Sequence, residues 1–486
     1  MRRAKGIGGG VGVAIAIVTG ALSVAATGTH AAELAAAAIP GALTMGESVR
    51  IALERNREVI AARLDIEAAQ LDVVAARIYP NPVASYSLGN LVINGNSQGG
   101  TVAPQFFSQP VQNIGVSEII DVWAKRSART RAAERGVDEK RLQVEDALRE
   151  IVYAVRSAFA DVTREQHEHQ LAREIADRYS DTVRVSRGRF RAGDISEAEL
   201  RRVELEGLRY TNAVIDADLE LDLAREKLAR LMGLASGAQL PAQVADVADT
   251  RRAYSVPSLI SLAMEHRPDI RAAGASRLTA EAQLDSAKRE VYPDLTLGAN
   301  YTHSSFTVSG DNPDTLGLSL SLPLPLFDRN QAAIGRSGLD IRRADNELER
   351  LRLSVAHDVA EAVRRAERSR ALLDVFEGTV EETETATPTP ASAPPPTSPR
   401  VGAASPGGKP MPPSPPLPPE KRGMLARAEN ALRVAEKSYQ AGASSLLELL
   451  DAQRTYLDVR GQYLRAVYDY RQAAVDVNHA VGTEVK

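Results

Sequence analysis

Cysteine is absent from all 486 residues, which excludes disulfides, thiolate metal ligands and a lipidated cysteine behind a leader. After the first 32 residues, no stretch approaches the ~18 continuous apolar residues of a membrane-spanning helix. Glycine-rich phosphate loops, nucleophile elbows and zinc-protease motifs are also missing from the sequence. We therefore expect no transmembrane helix in the mature chain, no enzyme activity and no cofactor. Any attachment to a membrane would have to come from the fold.

Positive charge is not in excess either. The formal net charge is −4, and removal of a basic leader would bring it to about −7. A general nucleic-acid binder needs a basic face. The charge balance therefore predicts no nucleic-acid partner.

Residues 1–31 have the order of a secretory signal peptide. A basic start of Arg2, Arg3 and Lys5 precedes an apolar core, and small residues follow the core. We expect cleavage after Ala31, with Ala26 as the alternative position. An uncleaved membrane anchor is the other interpretation, and the short, glycine-rich core disfavours it.

The sequence repeats itself at long range. Two Tyr-Pro pairs, at 79–80 and 292–293, lie 213 residues apart, and the stretch 53–59 matches 264–270 at an offset of 211. Such self-similarity indicates a duplicated structural unit. The chain divides into repeat 1, residues 32–245, and repeat 2, residues 246–486.

A second pair of matching segments has a larger offset. "RFRAGDISEAEL" (189–200) and "SYQAGASSLLELLDAQ" (438–453) each contain an aromatic residue, an Ala-Gly turn and a polar helix start. Gly193 and Gly442 lie 249 residues apart, so an insertion precedes the second turn. The insertion is the proline-rich stretch 381–422, which cannot be helical. A disordered loop and a spacer that contacts peptidoglycan or a partner both remain open for it.

Four segments of about ten residues read as strands, because apolar residues alternate with small or polar ones. Leu295, Leu297, Ala299 and Tyr301 form one such face. Four strands of this length fit an outer-membrane crossing when tilted, yet four cannot close a barrel alone. Three chains would give twelve strands. The predicted strands are 82–90, 111–120, 294–303 and 315–324.

The helical segments are unusually long. We expect one helix from about Leu43 to Arg77, and the proline-free stretch 121–193 predicts a helix of about 100 Å. Apolar residues at three- and four-residue steps indicate a coiled-coil seam in that stretch, and heptads of tyrosine and leucine indicate packing surfaces after the second turn. The seam residues are Leu148, Ile151, Val152, Val155, Phe159 and Val162; the heptad residues are Tyr456, Tyr463, Tyr470, Val477, Leu450, Leu457 and Leu464.

Several phrases resemble those of the outer-membrane efflux proteins, the TolC-like family of trimeric exit ducts. They are "RPDI" (267–270), "YPDLTLGANY" (292–301), "LSLSLPLPLFDRNQ" (318–331) and "YQAGASSLLELLDAQ" (439–453). The resemblance covers nearly all of the mature chain, and two of the phrases favour the cobalt-zinc-cadmium branch. It implies a mainly α protein with a small β part: a trimeric twelve-strand barrel in the outer membrane, continued by a helical barrel through the periplasm. It also implies a periplasmic adaptor and a proton-driven inner-membrane pump as partners.

The resemblance gives the Ala-Gly turns a role as the periplasmic tips of two helical hairpins. Glycine permits the reversal at Gly193 and Gly442, and Ser196 and either Ser444 or Ser445 can cap the returning helices. The family implies that acids after each turn line the duct entrance, where threefold symmetry would form carboxylate rings that favour cations. It also pairs a tyrosine and an arginine there, and Ser444 stands in place of that arginine. The implied entrance residues are Glu199, Tyr439, Glu448 and Asp451.

Three other interpretations concern function. The cargo could be divalent heavy-metal cations, or drugs and other small molecules carried by the same kind of duct. A periplasmic adaptor is the alternative from another class, although it would have one hairpin and no repeated strand pair. A metal site at His167, Glu168 and His169 is disfavoured, because imidazoles two residues apart on a helix diverge.

Overall fold

The computed structural model describes seven stretches of the chain, and the statements below concern them alone. They are residues 43–89, 110–238, 240–241, 252–304, 312–378, 423–440 and 443–485. The expected leader, the proline-rich stretch 381–422 and Gly442 lie outside these described residues.

Most of the described chain is helical, with a small sheet. The helices are α1 Met45–Arg55, α2 Arg57–Arg77, α3 Lys125–Ala192, α4 Glu197–Leu231, α5 Val256–His266, α6 Pro268–Arg289, α7 Gln331–Glu377, α8 Met424–Gln440 and α9 Leu446–Val481. The longest, α3, has 68 residues and therefore spans roughly 100 Å. Within the described stretches, no helix is both long enough and apolar enough to cross a bilayer.

The sheet has four antiparallel strands in the order β1-β2-β3-β4. They are β1 Val83–Gly89, β2 Val111–Ile120, β3 Leu295–Ser304 and β4 Asp314–Ser321. Each overlaps its expected range. The fourth was expected to reach residue 324 and ends at Ser321, because Pro323 and Pro325 lack the N–H that a strand ladder requires.

The register of the sheet separates two chemically different faces. One row across all four strands is Tyr86, Ile114, Tyr301 and Leu316. The neighbouring row, whose side chains lie on the opposite face, is Ser85, Gly115, Asn300 and Gly317. The period-two alternation therefore produces one apolar face and one face of small polar residues, and the apolar face is exposed in the single chain.

Both halves of the chain contain a helix break at an equivalent place. The expected continuous helix over 43–77 is wrong in this respect: Asn56 has an extended backbone, and its side-chain oxygen accepts from the Glu58 N–H at 2.7 Å, which caps α2. Arg267, 211 residues later, has a similar extended backbone between α5 and α6. Pro268 then occupies the first position of α6, where its missing N–H costs nothing.

Three apolar clusters form the core. The first joins α1, α2, α3 and α4 around Phe159 and Leu228, and the third joins α5, α6, α7 and α9 around Val359 and Val477. The second lies between the halves, where Tyr179 and Val203 of the first half pack with residues of α7, α8 and α9. Ile151, Val155, Phe159 and Val162 are buried in the first cluster and Tyr456 and Tyr470 in the second, so both stripes are packing surfaces.

Candidate functional site at the hairpin tips

The first hairpin tip is a tight turn between α3 and α4. Gly193 ends α3 with φ of +83°, a left-handed conformation that glycine adopts without steric cost. Ser196 then caps α4 with its hydroxyl, and Glu199 closes a capping box because its carboxylate accepts from the Ser196 N–H at 2.8 Å. The turn predicted at Gly193 is therefore present, and Ser196 caps α4 as expected.

The second tip joins α8 to α9. Ser445 is the residue that caps α9, and its hydroxyl accepts from the Glu448 N–H at 3.3 Å. Of the two serines considered from the sequence, Ser445 rather than Ser444 has this role. The turn expected at Gly442 falls outside the described residues, so its conformation stays a prediction.

The three candidate acids occupy two different hairpins. Glu199 is exposed at the start of α4, and its carboxylate serves the capping box. Glu448 and Asp451 are exposed one turn apart on α9, which places them on the same helix face. Glu199 thus stabilises the tip locally, whereas a shared entrance role for all three remains a prediction.

Tyr439, the fourth candidate, is buried between the two hairpins. Its side chain is 8% exposed, and the guanidinium carbon of Arg189 lies 4.6 Å from the centre of its ring. This separation is within the range of a cation–π contact. Arg189 belongs to the last turn of α3, so the contact joins the first hairpin to the second.

Arg189 was not among the residues selected from the sequence. The family pattern pairs a tyrosine with an arginine near the second turn, and Ser444 occupies that place here. The arginine that contacts Tyr439 comes instead from the first hairpin. The sequence feature that could have pointed to Arg189 is the phrase "RFRAG" (189–193), which places an arginine four residues before Gly193, the glycine that matches Gly442.

Ion pairs connect neighbouring helices near the tips. Arg187 of α3 contacts Glu204 of α4 at 2.9 Å, and this hydrogen bond holds the pKa of Glu204 below its usual value. Arg460 of α9 contacts Glu174 of α3 at 2.9 Å, which links the two hairpins further from the tip. Both pairs are partly exposed and contribute little stability individually.

A second polar cluster lies far from the tips, at the α5–α6 break. Arg267 is 6% exposed, contacts the Asp269 carboxylate at 2.6 Å and donates to the Ala480 carbonyl of α9 at 3.0 Å. Burial alone would raise the pKa of Asp269, but the hydrogen bond and charge of Arg267 outweigh it and hold the pKa low. The "RPDI" phrase therefore fastens α6 to the end of α9.

The two imidazoles of 167–169 face different helices. His167 Nδ1 lies 2.7 Å from the Tyr468 hydroxyl of α9, whereas His169 Nε2 lies 3.3 Å from Asp218 of α4. This divergence agrees with the expectation from helix geometry. Within the described ranges, histidine and acidic residues form no group of three or more that could hold a metal ion.

The amino-acid sequence is similar to those of proteins that are named for efflux, metal resistance or export. A family model described as outer membrane efflux protein matches residues 49–234, 259–389 and 422–483. The cobalt-zinc-cadmium resistance protein CzcC of Cupriavidus metallidurans is 25% identical over 474 residues, covering 97% of this chain and 98% of CzcC. The pyoverdine export outer membrane protein OpmQ of Pseudomonas putida is 23% identical, covering 90% of this chain and 85% of OpmQ.

Solved structures show the same fold. The outer membrane protein VceC of Vibrio cholerae superposes with a TM-score of 0.66 at 17% identity, covering 91% of this chain and 97% of VceC. The family match covers more than half of the sequence. The chain therefore belongs to the outer membrane efflux protein family and is a duct of the outer membrane that extends into the periplasm.

Proposed function

We propose that three copies of this chain form one exit duct, and the sheet carries the proposal. In the described part of the chain, β1 and β4 each pair along one edge only. Unpaired strand edges leave N–H and C=O groups unsatisfied, which lipid does not tolerate, so a sheet in a membrane has to close. Three four-stranded sheets would close as a barrel of twelve strands.

The two faces of the sheet support this arrangement. The exposed row of Tyr86, Ile114, Tyr301 and Leu316 suits contact with lipid, and the opposite row of small polar residues suits a water-filled interior. The long helices α3 and α4, and α7 to α9, would continue the barrel as a tunnel through the periplasm. In this proposal each chain contributes two structural repeats of a strand pair and a helical hairpin.

Cross-linking tests the closure directly, because the native chain has no cysteine that could interfere. Cysteine at Ser85 of β1 would be combined in turn with cysteine at Thr315 or Ser319 of β4, which lie on the same face of the sheet. A short bismaleimide should link three chains in at least one combination. The pair Asn113 and Thr302, directly opposite in β2 and β3, should link only within one chain. Edge variants that remain monomeric in every combination would reject the trimer.

At the entrance, the contact between Arg189 and Tyr439 would hold the two hairpins of one chain together and keep the mouth narrow. Exposed Glu448 and Asp451, repeated by threefold symmetry, would surround the entrance with carboxylates together with Glu199. Rings of negative charge attract cations and repel anions. The expected partners at these tips are a periplasmic adaptor and, through it, a proton-driven pump of the inner membrane.

We infer that the cargo is divalent heavy-metal cations. The acids at the tips and the likeness to the cobalt-zinc-cadmium resistance protein over 97% of the chain favour this class. OpmQ, with 23% identity, is named for the export of pyoverdine, so small organic molecules are the second candidate. The duct has no bond to break, and the energy would come from the pump.

Growth of a deletion strain separates the two cargo classes. The strain, with and without the gene restored, would be exposed to zinc, cobalt, cadmium and a panel of lipophilic drugs. Sensitivity to the metals alone supports metal export, and sensitivity to drugs alone rejects it while leaving the duct in place. If the chain were instead a periplasmic adaptor, a protein of another class, it would be found soluble in the periplasmic fraction and not as a membrane-bound trimer.

A further inference from the structure

A cavity of about 370 Å³ lies between the two hairpins, beside the stretch 175–185 of α3. Helix α3 forms one wall, and α8 and α9 form the other. We call this space the inter-hairpin cavity. It is lined by Tyr179, Leu432, Tyr439, Leu449, Gln453 and Leu457, among others. Its size falls within the range of small-molecule sites in proteins.

Three polar atoms in the wall of this cavity lack a hydrogen-bond partner among the described residues. They are the hydroxyls of Tyr179 and Tyr439 and the side-chain carbonyl oxygen of Gln453. Tyr179 is 4% exposed and Tyr439 8%, so neither side chain can turn out to bulk water. Buried polar groups are nearly always paired, and an unpaired one indicates an absent partner. Two phenols and an amide on the facing walls of one cavity therefore suggest a common ligand.

The nature of the wall restricts what that ligand can be. Three charged side chains line the cavity: Arg178 and Asp181 are exposed at its mouth, and Glu436 is half-buried. Leu432, Leu449 and both tyrosines form a buried floor. A charged group placed against the buried leucines and tyrosines would lose its hydration there. Burial also raises the pKa of Tyr179, which keeps its hydroxyl protonated and able to donate.

Water alone is a poor match for this space. A volume of this size accommodates about a dozen water molecules at ~30 Å³ each, and every buried water needs two to four polar partners. The floor offers three unpartnered polar atoms among leucine side chains. A largely apolar molecule with one hydrogen-bonding group matches a few polar atoms among apolar side chains better than a cluster of waters does.

We propose that the inter-hairpin cavity binds a small neutral molecule with an aromatic or branched aliphatic body and one group that both donates and accepts hydrogen bonds. A phenol is the simplest member of this class. Its body would pack against the leucines, and its hydroxyl would pair with the tyrosine hydroxyls or the Gln453 carbonyl. Because the ligand touches helices of both hairpins, its binding stabilises their contact.

The test is a titration of the full-length protein, held in an amphipathic polymer without free detergent, with 4-fluorophenol followed by ¹⁹F NMR. Saturable binding is expected. Loss of one hydrogen bond of about 1 kcal/mol corresponds to about fivefold weaker binding, so Tyr179→Phe and Tyr439→Phe should each raise the Kd by that factor. Val185→Trp at the exposed mouth should block binding without altering the core.

Tyr463→Phe is the matched control. It lies on α9 outside the cavity, and its hydroxyl already donates to Glu377 at 3.2 Å, so the Kd should stay within about twofold. Absence of saturable binding would overturn the proposal. So would equal affinities of wild type and both cavity variants, or a crystal grown with the probe in which ordered waters or another subunit's side chain occupy the cavity.

Discussion

Equivalent positions in the two halves of the chain carry different side chains. At the tips, the matching segments place Phe190 where the second half has Tyr439, 249 residues later. Phe190 is 39% exposed, whereas Tyr439 is 8% exposed and lies beneath Arg189 of the other hairpin. The matching segments thus share an aromatic residue, but the second-half aromatic is buried against the other hairpin whereas Phe190 is exposed.

The helix breaks show a similar difference. Asn56 reaches the Leu231 carbonyl at the end of α4 with a neutral amide, at 2.8 Å. Arg267 reaches the Ala480 carbonyl at the end of α9 with a charge, and it also holds Asp269. Gly482, left-handed at φ of +81°, gives Arg267 room, since a Cβ there would lie 2.9 Å from the Arg267 Cγ. The two breaks thus have a similar extended backbone but different side-chain chemistry.

Substitution at the two breaks should give the largest difference between the halves. Arg267→Ala leaves the buried carboxylate of Asp269 with the Ile270 N–H but without its guanidinium counter-charge, and we expect a loss of about 3 to 5 kcal/mol in unfolding free energy. Asn56→Ala removes a neutral cap and should cost about 1 to 2 kcal/mol. Denaturant titrations followed by circular dichroism measure both changes. Arg271→Ala, which breaks an exposed pair with Glu145, is the control and should cost less than about 1 kcal/mol.

At the tips too, substitution in the second half should cost more unfolding free energy than substitution in the first half, but the difference should be smaller than at the breaks. Tyr439→Ala removes a buried ring and its contact with Arg189, so we expect a loss of about 3 kcal/mol. Phe190→Ala, at a more exposed position, should cost about 1 kcal/mol or less. Thermal unfolding of the two variants side by side provides the measurement. Equal losses would mean that the second tip is no more tightly packed than the first.

Acid should destabilise the packing at the α5–α6 break, around Arg267 and Asp269, more than the packing at the α1–α2 break. The pKa of Asp269 is lowered from its usual 3.8, so the stability it contributes is present above that value and is lost as the pH falls through the lowered pKa. The carboxylates and guanidinium groups around it include Arg267, Arg149 and Asp358. Asn56 does not titrate. Hydrogen exchange, corrected for its intrinsic pH dependence, should show that α6 loses protection as the pH falls below about 3.8 while α2 does not. Parallel loss in both helices would contradict this difference.

Glu199→Gln should have the smallest effect on stability. Glutamine also closes a capping box, so the change in unfolding free energy should stay within about 0.5 kcal/mol. If Glu199 also lines the entrance, the loss of its charge would lower the preference for cations by roughly twofold in reconstituted trimers. Glu448→Gln and Asp451→Asn serve as comparisons on α9. Unchanged selectivity in Glu199→Gln would leave Glu199 with a capping role only.

Local chemistry explains which features could be predicted from the sequence. The strands followed from alternation within ten residues, and the first tip followed from Gly193 and the cap at Ser196. The break at Asn56 could not be predicted, because asparagine is tolerated inside a helix and its reason for capping is the Leu231 carbonyl, 175 residues away. The Arg189–Tyr439 contact depends on the relative rotation of two helices from different hairpins. Neither the family pattern nor the local sequence specifies that rotation.

Single-channel recording in planar bilayers tests the central claim, a duct whose mouth is held by contact between the two hairpins. Wild-type trimers should conduct weakly, and Arg189→Ala should raise the conductance or open time several-fold, because the cation–π contact with Tyr439 is lost. Arg191→Ala, an exposed arginine of the same helical turn, should behave like wild type. Failure of purified trimers to form any pore, or identical currents from wild type and Arg189→Ala, would contradict the account.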